Sequence, residues 1–225
     1  VVTGGIPQAT VVGVVIQEID PDENVVFQWR SWDHFSITDA VGVDFTSHYI
    51  DYVHGNALEI DHDGHILISS RHLNEITKIN RVTGEVIWRF GPNAKNNMFI
   101  FTNDTIGFSY QHDVRRTATG KITLYDNGNL HDPQFSRALE YELDEEAFTA
   151  TQVWQYVNDP VVYADATGST RRLHNGRTLV GWGSVPPESP ILTEISEDGE
   201  KKWEAFYPDW VHSYRVVKDY WETTA

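Results

Sequence analysis

The chain has 225 residues, with 17 basic and 33 acidic side chains and a formal net charge of −16. This excess of negative charge argues against nucleic acid or an anionic membrane surface as the main partner, because both require a cationic contact surface. The sequence has no cysteine and no apolar run long enough to cross a bilayer. Disulfides, zinc–thiolate sites, thiol nucleophiles and a membrane-spanning helix are therefore excluded.

A hairpin that ends in tryptophan recurs along the chain. The copies, in chain order, are residues 17–29, 77–88, 141–154 and 193–203. Their final tryptophans are 59, 66 and 49 residues apart, which is close to the roughly 50 residues of one four-stranded propeller blade. Turns with glycine after a polar residue, such as Thr83-Gly84 and Asp198-Gly199, are typical of such hairpins.

A second strand pair, with its own turn, precedes three of these hairpins. The turns are Asp63-Gly64, Thr119-Gly120 and Asn175-Gly176. Two hairpins per repeat give one four-stranded antiparallel blade, so the sequence predicts an all-β propeller. A tryptophan-rich β-sandwich is the alternative, but sandwiches do not normally repeat a whole four-stranded unit in register.

About four such units fit in the chain. We therefore expect residues 1–225 to form a single β-propeller domain that is incomplete at its N-terminal side, where further blade material is missing. A propeller must close to satisfy its edge strands. This leaves open a homo-oligomer or another chain that completes the propeller.

Histidines recur at one phase of the repeat. His54 and His112 open two successive units 58 residues apart, Thr170 lies 58 residues further on beside Arg171, and His212 opens the last unit. In a propeller the first strand of each blade lines the central channel, so these positions are predicted to converge. The other histidines fall in turns or polar loops and are expected to be ordinary: His34, His48, His62, His65, His72, His131 and His174.

A metal site is a weaker interpretation of the same residues. His54, His112 and His212 together could bind zinc or copper, but no carboxylate lies in phase with them, so no metal is expected. The acidic stretches at residues 20–24 and 61–64 lack the full calcium-loop pattern and are expected to be solvated turns. No motif for a phosphate-binding loop or a nucleophile elbow occurs, and no cofactor is expected.

An ordered series of motifs resembles the arylsulfotransferase (aryl-sulfate sulfotransferase) β-propeller family. The resemblance covers roughly residues 45–217. Its motifs are DYVHGNA (51–57), SRHL (70–73), TGEVIWRFG (83–91), YQHD (110–113), YDNG (125–128), SRA (136–138), LHNG (173–176) and HSYR (212–215).

The resemblance implies a six-bladed propeller, extracellular or periplasmic, that transfers a sulfuryl group from a small aryl sulfate to a phenol. The reaction does not use the nucleotide donor PAPS. Channel-lining histidines and an arginine are implied as the reacting groups. The catalytic residues expected from it are His54, His112, Arg137 and His212. The expected substrate-binding residues are Asn56, Tyr110, Asn127 and Arg171.

One stretch departs from the family pattern. The family's covalent histidine is expected at a strand end in a late blade, where this chain reads GWGSVPP (181–187) without a histidine. The alternative is therefore a non-catalytic propeller, used as a binding or assembly module at the cell surface or outside the cell.

Overall fold

The computed structural model describes residues 2–208 and 211–219 and is built from β-strands. Within these residues, the only helical elements are two 3₁₀ turns, Ser31–Asp33 and Ile37–Asp39. No helix in this part of the chain has the length and apolarity needed to cross a membrane.

Three repeat units form antiparallel sheets in which strands follow chain order. Blade 2 comprises β5 (Gly55–Ile60), β6 (Ile66–Ser70), β7 (Glu75–Ile79) and β8 (Val86–Phe90). Blade 3 comprises β10 (His112–Arg116), β11 (Ile122–Asp126), β12 (Arg137–Asp144) and β13 (Thr149–Tyr156), with β9 (Ile100–Thr102) added parallel to β13. Blade 4 comprises β14 (Ser169–Arg172), β15 (Thr178–Gly181), β16 (Leu192–Ile195) and β17 (Lys201–Ala205).

The first unit is smaller. Its hairpin, blade 1, joins β2 (Val15–Ile19) to β3 (Val25–Arg30). A separate parallel pair joins β1 (Thr10–Val12) to β4 (Tyr49–Asp51). The described residues therefore contain three sheets of four or more strands, one two-stranded hairpin and one two-stranded parallel pair, rather than four full blades.

Tight turns join the inner strand of each blade to the next strand. Gly64 and Gly120 occupy these turns with φ of +84° and +83°. A side chain is strained in this left-handed region, which explains the glycine found at this point of each repeat. The inner strands β5, β10 and β14 lie side by side, as a shared channel requires.

Apolar cores fill the spaces between blades. Trp88 and Phe90 of blade 2 pack with Phe108 and Tyr141 of blade 3 in one buried cluster. Every residue of β6, β7 and β11 is buried. These strands are covered on both faces because the sheets stack face to face.

The repeated tryptophans link each blade to the following one. The Trp29 indole donates a hydrogen bond to the Gly84 carbonyl of blade 2 at 3.1 Å, and the Trp88 indole donates to the Glu145 carboxylate of blade 3 at 2.9 Å. At the next boundary the Arg172 guanidinium lies 4.1 Å from the centroid of the Trp154 ring. The sequence repeat is thus a repeat of inter-blade contacts.

A buried ionic network reinforces the boundary between blades 2 and 3. The Lys78 ammonium lies 2.9 Å from the Asp61 carboxylate, 2.7 Å from that of Asp63 and 2.8 Å from that of Glu145. Arg116 binds Asp61 at 2.6 Å and Glu145 at 2.8 Å. The expectation of a solvated turn at residues 61–64 is therefore wrong for Asp61, because two cations from neighbouring strands bury its carboxylate.

Asp61 provides a test of this network. Burial raises the pKa of its carboxyl, but hydrogen bonds from Arg116 and Lys78 outweigh this effect and lower the pKa to about 2. Asp61→Asn leaves two buried cations short of a counter-charge. We expect the free energy of unfolding to fall by about 3 kcal/mol in urea titrations.

The matched control is Asp33→Asn, which breaks the exposed ion pair with Arg30. It should change the free energy of unfolding by less than about 1 kcal/mol. Equal effects of the two substitutions would show that the buried network does not hold the blades together.

Candidate functional site

His54 lies just before β5, at the end of the inner strands where each blade begins. Its backbone has φ of +51°, in the left-handed region. The Asp51 carboxylate supports this conformation by accepting a hydrogen bond from the His54 backbone N–H at 3.0 Å. The same carboxylate lies 2.6 Å from His54 Nδ1. Asp51 therefore orients the ring through Nδ1, and Nε2 has no hydrogen-bond partner among the described residues.

His72 stands beside His54, with the two ring centroids 4.6 Å apart. Its Nδ1 lies 2.5 Å from the Asp51 carbonyl, and its Nε2 lies 2.9 Å from the Arg71 guanidinium. A carbonyl only accepts and a guanidinium only donates, so His72 carries its proton on Nδ1 and is neutral. Burial lowers the pKa of His72 and favours the same state.

Arg71 is the cation of this cluster. Its guanidinium lies over the Tyr110 ring, 4.4 Å from the centroid, and donates to the Asp165 carbonyl at 2.8 Å. Among the described residues its guanidinium forms no ion pair with a carboxylate, and its buried Nε–H has no hydrogen-bond partner. Burial accordingly lowers the pKa of Arg71. The negative charges of Asp165 and Asp51 act on Arg71 only from beyond ion-pair distance, and burial outweighs them.

His112 begins β10 and is almost completely buried. Its Nδ1 lies 2.7 Å from Asn127 Oδ1 and 3.2 Å from the Tyr110 carbonyl. The Asn127 amide nitrogen donates to the carbonyls of Ala164 and Thr167, which fixes its oxygen toward His112. His112 therefore has its proton on Nδ1 and a lone pair on Nε2.

The charge state of His112 follows from its surroundings. Burial lowers the pKa of His112 to about 4, and the nearby positive charge of Arg71 and the His54 ring adds to the effect. His112 is therefore neutral at physiological pH. The Tyr214 ring stands edge-on to it with centroids 6.1 Å apart.

Several expected site residues meet around these rings. Asn56 donates to the Gln111 carbonyl at 2.8 Å, next to His112. The Tyr110 hydroxyl donates to the Val41 carbonyl at 3.1 Å, so its ring supports Arg71 while its hydroxyl is already used. The structure thus brings His54, His112, Asn56, Tyr110 and Asn127 to one end of the inner strands.

Arg137 has a different setting. Its guanidinium is buried and binds Asp126 at 2.8 Å, Asp104 at 3.1 Å and Gln155 at 2.9 Å. Two carboxylates therefore neutralise it. Asp126 precedes Asn127 in the chain, so this ion pair supports the loop that holds His112. The sulfate-binding role of Arg137 stays a prediction, and its partners favour a structural one.

Two further expected residues lie apart from the histidines. Arg171 points to Asp113, with 2.8 Å between guanidinium and carboxylate. His212 is exposed, and its side chain makes no hydrogen bond, ion pair or ring contact with the residues that the structure describes.

The sequence interpretation missed Arg71 and His72 as site residues. Both lie in the loop between β6 and β7, outside the repeated inner-strand position. The motif SRHL was the signal that could have identified them, since it belongs to the series that carries the family resemblance.

The geometry groups different metal-binding atoms from those expected. Among the described residues, the group that could hold an ion is Asp51, His54 and His72, whose ligand atoms lie within 4.8 Å of one another. His112 and His212 do not belong to it. Both nitrogens of His72 already have partners, and a metal ion would compete with the Arg71 guanidinium. The arrangement favours a hydrogen-bonded cluster that receives an anion.

The arylsulfotransferase family model matches residues 7–215. The chain belongs to the arylsulfotransferase family. Arylsulfate sulfotransferase AssT of Escherichia coli O6:H1 is 30% identical over 166 residues, which cover 59% of this chain and 27% of that protein. The chain therefore spans about a quarter of the length of this relative.

One solved structure reaches a TM-score of 0.50 with this chain, and a second is similar below that level. A protein of unknown function from Bacteroides caccae matches with a TM-score of 0.50 at 14% identity, covering 85% of this chain and 59% of its own. Virginiamycin B lyase from Staphylococcus aureus matches with a TM-score of 0.48 at 12% identity, covering 87% of this chain and 50% of its own. At these identities the likeness concerns the fold alone. The repeated four-stranded sheets, with their inner strands side by side, confirm the prediction of an all-β propeller.

His131 lies behind the site, in the network of Arg137. Its Nδ1 faces the Phe135 carbonyl at 3.1 Å, and its Nε2 faces the Gly107 carbonyl at 3.0 Å and Asp126 at 3.3 Å. All three partners are acceptors, so both nitrogens must carry protons. Burial opposes this charge, but the hydrogen bond and negative charge of Asp126 outweigh it and raise the pKa of His131, while Arg137 lowers it slightly.

His131 should therefore make stability depend on pH. Its folded pKa lies above the unfolded value of about 6.5, so its stabilisation is complete below that value and is lost as pH rises through the folded pKa. Unfolding titrations of the wild type and His131→Gln should differ by about 2 kcal/mol in acid and less in alkali. His62→Gln, at an exposed histidine, is the control. A difference that does not change with pH would contradict the charged state.

Proposed function

We propose that the chain transfers a sulfuryl group from an aryl sulfate to a phenol without PAPS. The observation that carries this proposal is the Arg71 guanidinium, which forms no ion pair with a carboxylate among the described residues and stands beside His72 and near His54 and His112. Family membership supports the same chemistry. The extracellular or periplasmic location and the completion of the propeller by further chain or a second copy stay predictions.

Arg71 is proposed to bind the sulfate group. Sulfuryl transfer resembles phosphoryl transfer, in which negative charge spreads over the peripheral oxygens of a loose transition state. A half-buried guanidinium without an ion-pair partner stabilises that charge more than a fully exposed one, because water screens it less. The −16 chain as a whole repels anions, so a local cation is needed to draw an aryl sulfate to this position.

His54 is proposed as the nucleophile. Its side chain is 43% exposed, and Nδ1 is held by Asp51 while Nε2 is available. Nε2 attacks sulfur, the sulfur–oxygen bond to the aryl group breaks, and its electron pair leaves with the phenolate. Phenols have a pKa near 10, so phenolate leaves more readily than an alkoxide. Asp51 stabilises the positive charge that the imidazole gains.

The second half of the reaction returns the enzyme to its starting state. The oxygen of the acceptor phenol attacks sulfur, the sulfur–nitrogen bond breaks, and its electron pair returns to His54 Nε2. The neutral His112 has a lone pair on Nε2 and is proposed to take the acceptor's proton as the new bond forms. This proton then passes to the departed phenolate, so the net exchange is one sulfuryl group for one proton.

The nucleophile can be tested by trapping the intermediate. His54→Ala should lower the release of nitrophenol from 4-nitrophenyl sulfate, with phenol as acceptor, by at least about a hundredfold. Peptide mass mapping of the wild type, quenched before acceptor is added, should find a sulfuryl group on the peptide that contains His54. His174→Ala, at an exposed histidine, is the control.

Label on a different histidine would reassign the nucleophile. Saturable binding of the aryl sulfate without any turnover would instead select the binding or assembly module. The stretch at residues 181–187, which lacks a histidine, favours that alternative.

Asp51→Asn tests the support of His54 separately. This substitution leaves in place the backbone carbonyl of residue 51 that binds His72, and it removes the negative charge beside His54. We expect kcat to fall by at least about tenfold with little change in KM, because the ring loses its charge-stabilising partner. Asp44→Asn, in an exposed turn with Thr46, is the control. An unchanged kcat across the pH range would show that Asp51 only shapes the loop.

A further inference from the structure

A second charged cluster lies beyond His112 along the inner strands. The buried carboxylate of Asp113 is bound by the guanidinium groups of Arg115 at 2.9 Å, Arg171 at 2.8 Å and Arg215 at 3.1 Å. We call these four residues the arginine hub. Its members come from β10, β14 and the segment 211–219, and Arg215 also donates to the Asn56 carbonyl of β5. The hub therefore joins the inner strands of blades 2, 3 and 4.

The arginine hub holds more positive than negative charge. Within the described ranges, the carboxylates in ion-pair contact with its three arginines are Asp113 and Glu59, the latter 2.8 Å from Arg115. Three cations against two anions leave one positive charge. The other buried arginines discussed above, Arg116 and Arg137, each bind two carboxylates of their own. The hub therefore shares with Arg71 a cation that no ion pair balances.

Hydrogen-bonding groups without partners gather at the hub. The Nε–H groups of Arg115 and Arg171 are buried and unbonded, and so are Thr170 Oγ1 and Asn56 Oδ1, within the part of the chain that the structure describes. A buried polar group without a hydrogen-bond partner costs free energy, so such groups normally bond to protein, water or ligand. Two guanidinium N–H groups require an acceptor, and the surplus charge favours an anionic one.

A cleft beside the hub has room for an aromatic group. Arg115 and Arg171 line a cleft of about 780 Å³ between blades 3 and 4, together with Val153, Trp154 and Leu173. Lys121 and Glu197 also line it and offset each other in charge. At the boundary between blades 2 and 3, the carboxylate of Glu145 reaches the equivalent tryptophan. Trp154 has no such hydrogen bond among the described residues. The Arg172 guanidinium of blade 4 lies over its ring instead, and both side chains line the cleft.

From this geometry we infer that the arginine hub and its cleft form a second ligand site, separate from the histidine cluster, for the oxyanion of an aromatic carboxylate or aryl sulfate. The oxyanion accepts from the Nε–H groups of Arg115 and Arg171. The aromatic ring packs against Val153, Leu173 and the edge of Trp154. The site binds its ligand without a covalent step.

Direct binding measurements test the inference without relying on turnover. Benzoate, phenyl sulfate and inorganic sulfate are titrated into the full chain, and the Nε–H signals of Arg115 and Arg171 are followed by NMR. The aromatic anions should shift both signals saturably, and inorganic sulfate should bind more weakly because it lacks the ring. Sodium chloride at matched ionic strength is the reference. Equal shifts with chloride would mean an adventitious ion only and would overturn the inference.

Variants separate the hub from the histidine cluster. Arg171→Met should weaken benzoate binding by about tenfold or more, since it removes a charge-assisted donor. Arg171→Lys keeps the charge and should lose less, which distinguishes lost binding from a folding defect. Arg30→Met, at an exposed arginine, is the control. Unchanged binding in Arg171→Met would overturn the inference.

His54→Ala serves as the final comparison. It should leave benzoate binding at the hub unchanged while it abolishes turnover. Loss of hub binding in this variant would show that the ligand occupies the histidine cluster instead. The experiments can therefore disprove ligand binding at the hub without disproving sulfuryl transfer, and they can disprove sulfuryl transfer without disproving ligand binding at the hub.

Discussion

The site depends on the lateral packing of the inner strands β5, β10 and β14. Each of them begins at the same end of its sheet, so residues that precede it by one or two positions meet there although they are far apart in the chain. A shift of one residue in register would turn every side chain to the opposite face. The apolar cores between blades, built around Phe90, Phe108 and Tyr141, prevent such a shift because their rings interlock.

The hydrogen-bond and ion-pair partners of an arginine, rather than its neighbours in the sequence, show whether it stabilises the fold or is available to a ligand. Arg116 and Arg137 are both buried and each is neutralised by two carboxylates. Arg71 is half-buried against the Tyr110 ring and bonds to the His72 ring and the Asp165 backbone carbonyl, neither of them charged. A strongly acidic protein can supply a carboxylate to nearly every cation. The cations that lack one therefore mark the places where an external anion is worth most.

The blade repeat and the convergence of His54 and His112 could be predicted from sequence, since both follow from a regular spacing of residues with strong structural preferences. The sequence predicts a fourth full blade, because the first hairpin resembles the others. In the structure blade 1 has only this hairpin, since the strand before it, β1, pairs with β4. Arg71 could not be placed from spacing, because it lies in a loop whose path depends on tertiary contacts. The motif around Arg137 predicts a sulfate-binding arginine, but the carboxylates that neutralise it lie 11 and 33 residues away in the sequence.

The tryptophan contacts between blades all run in one direction. Trp29 bonds to a turn 55 residues later, and Trp88 bonds to a carboxylate 57 residues later. During synthesis, blades 1 and 2 therefore leave the ribosome before the partners of the Trp29 and Trp88 indoles have been made, and each boundary can form only with the following hairpin. An early blade is thus completed by residues that are synthesised after it. A ribosome that stalls between repeats leaves one indole N–H without its partner and accessible to another polypeptide.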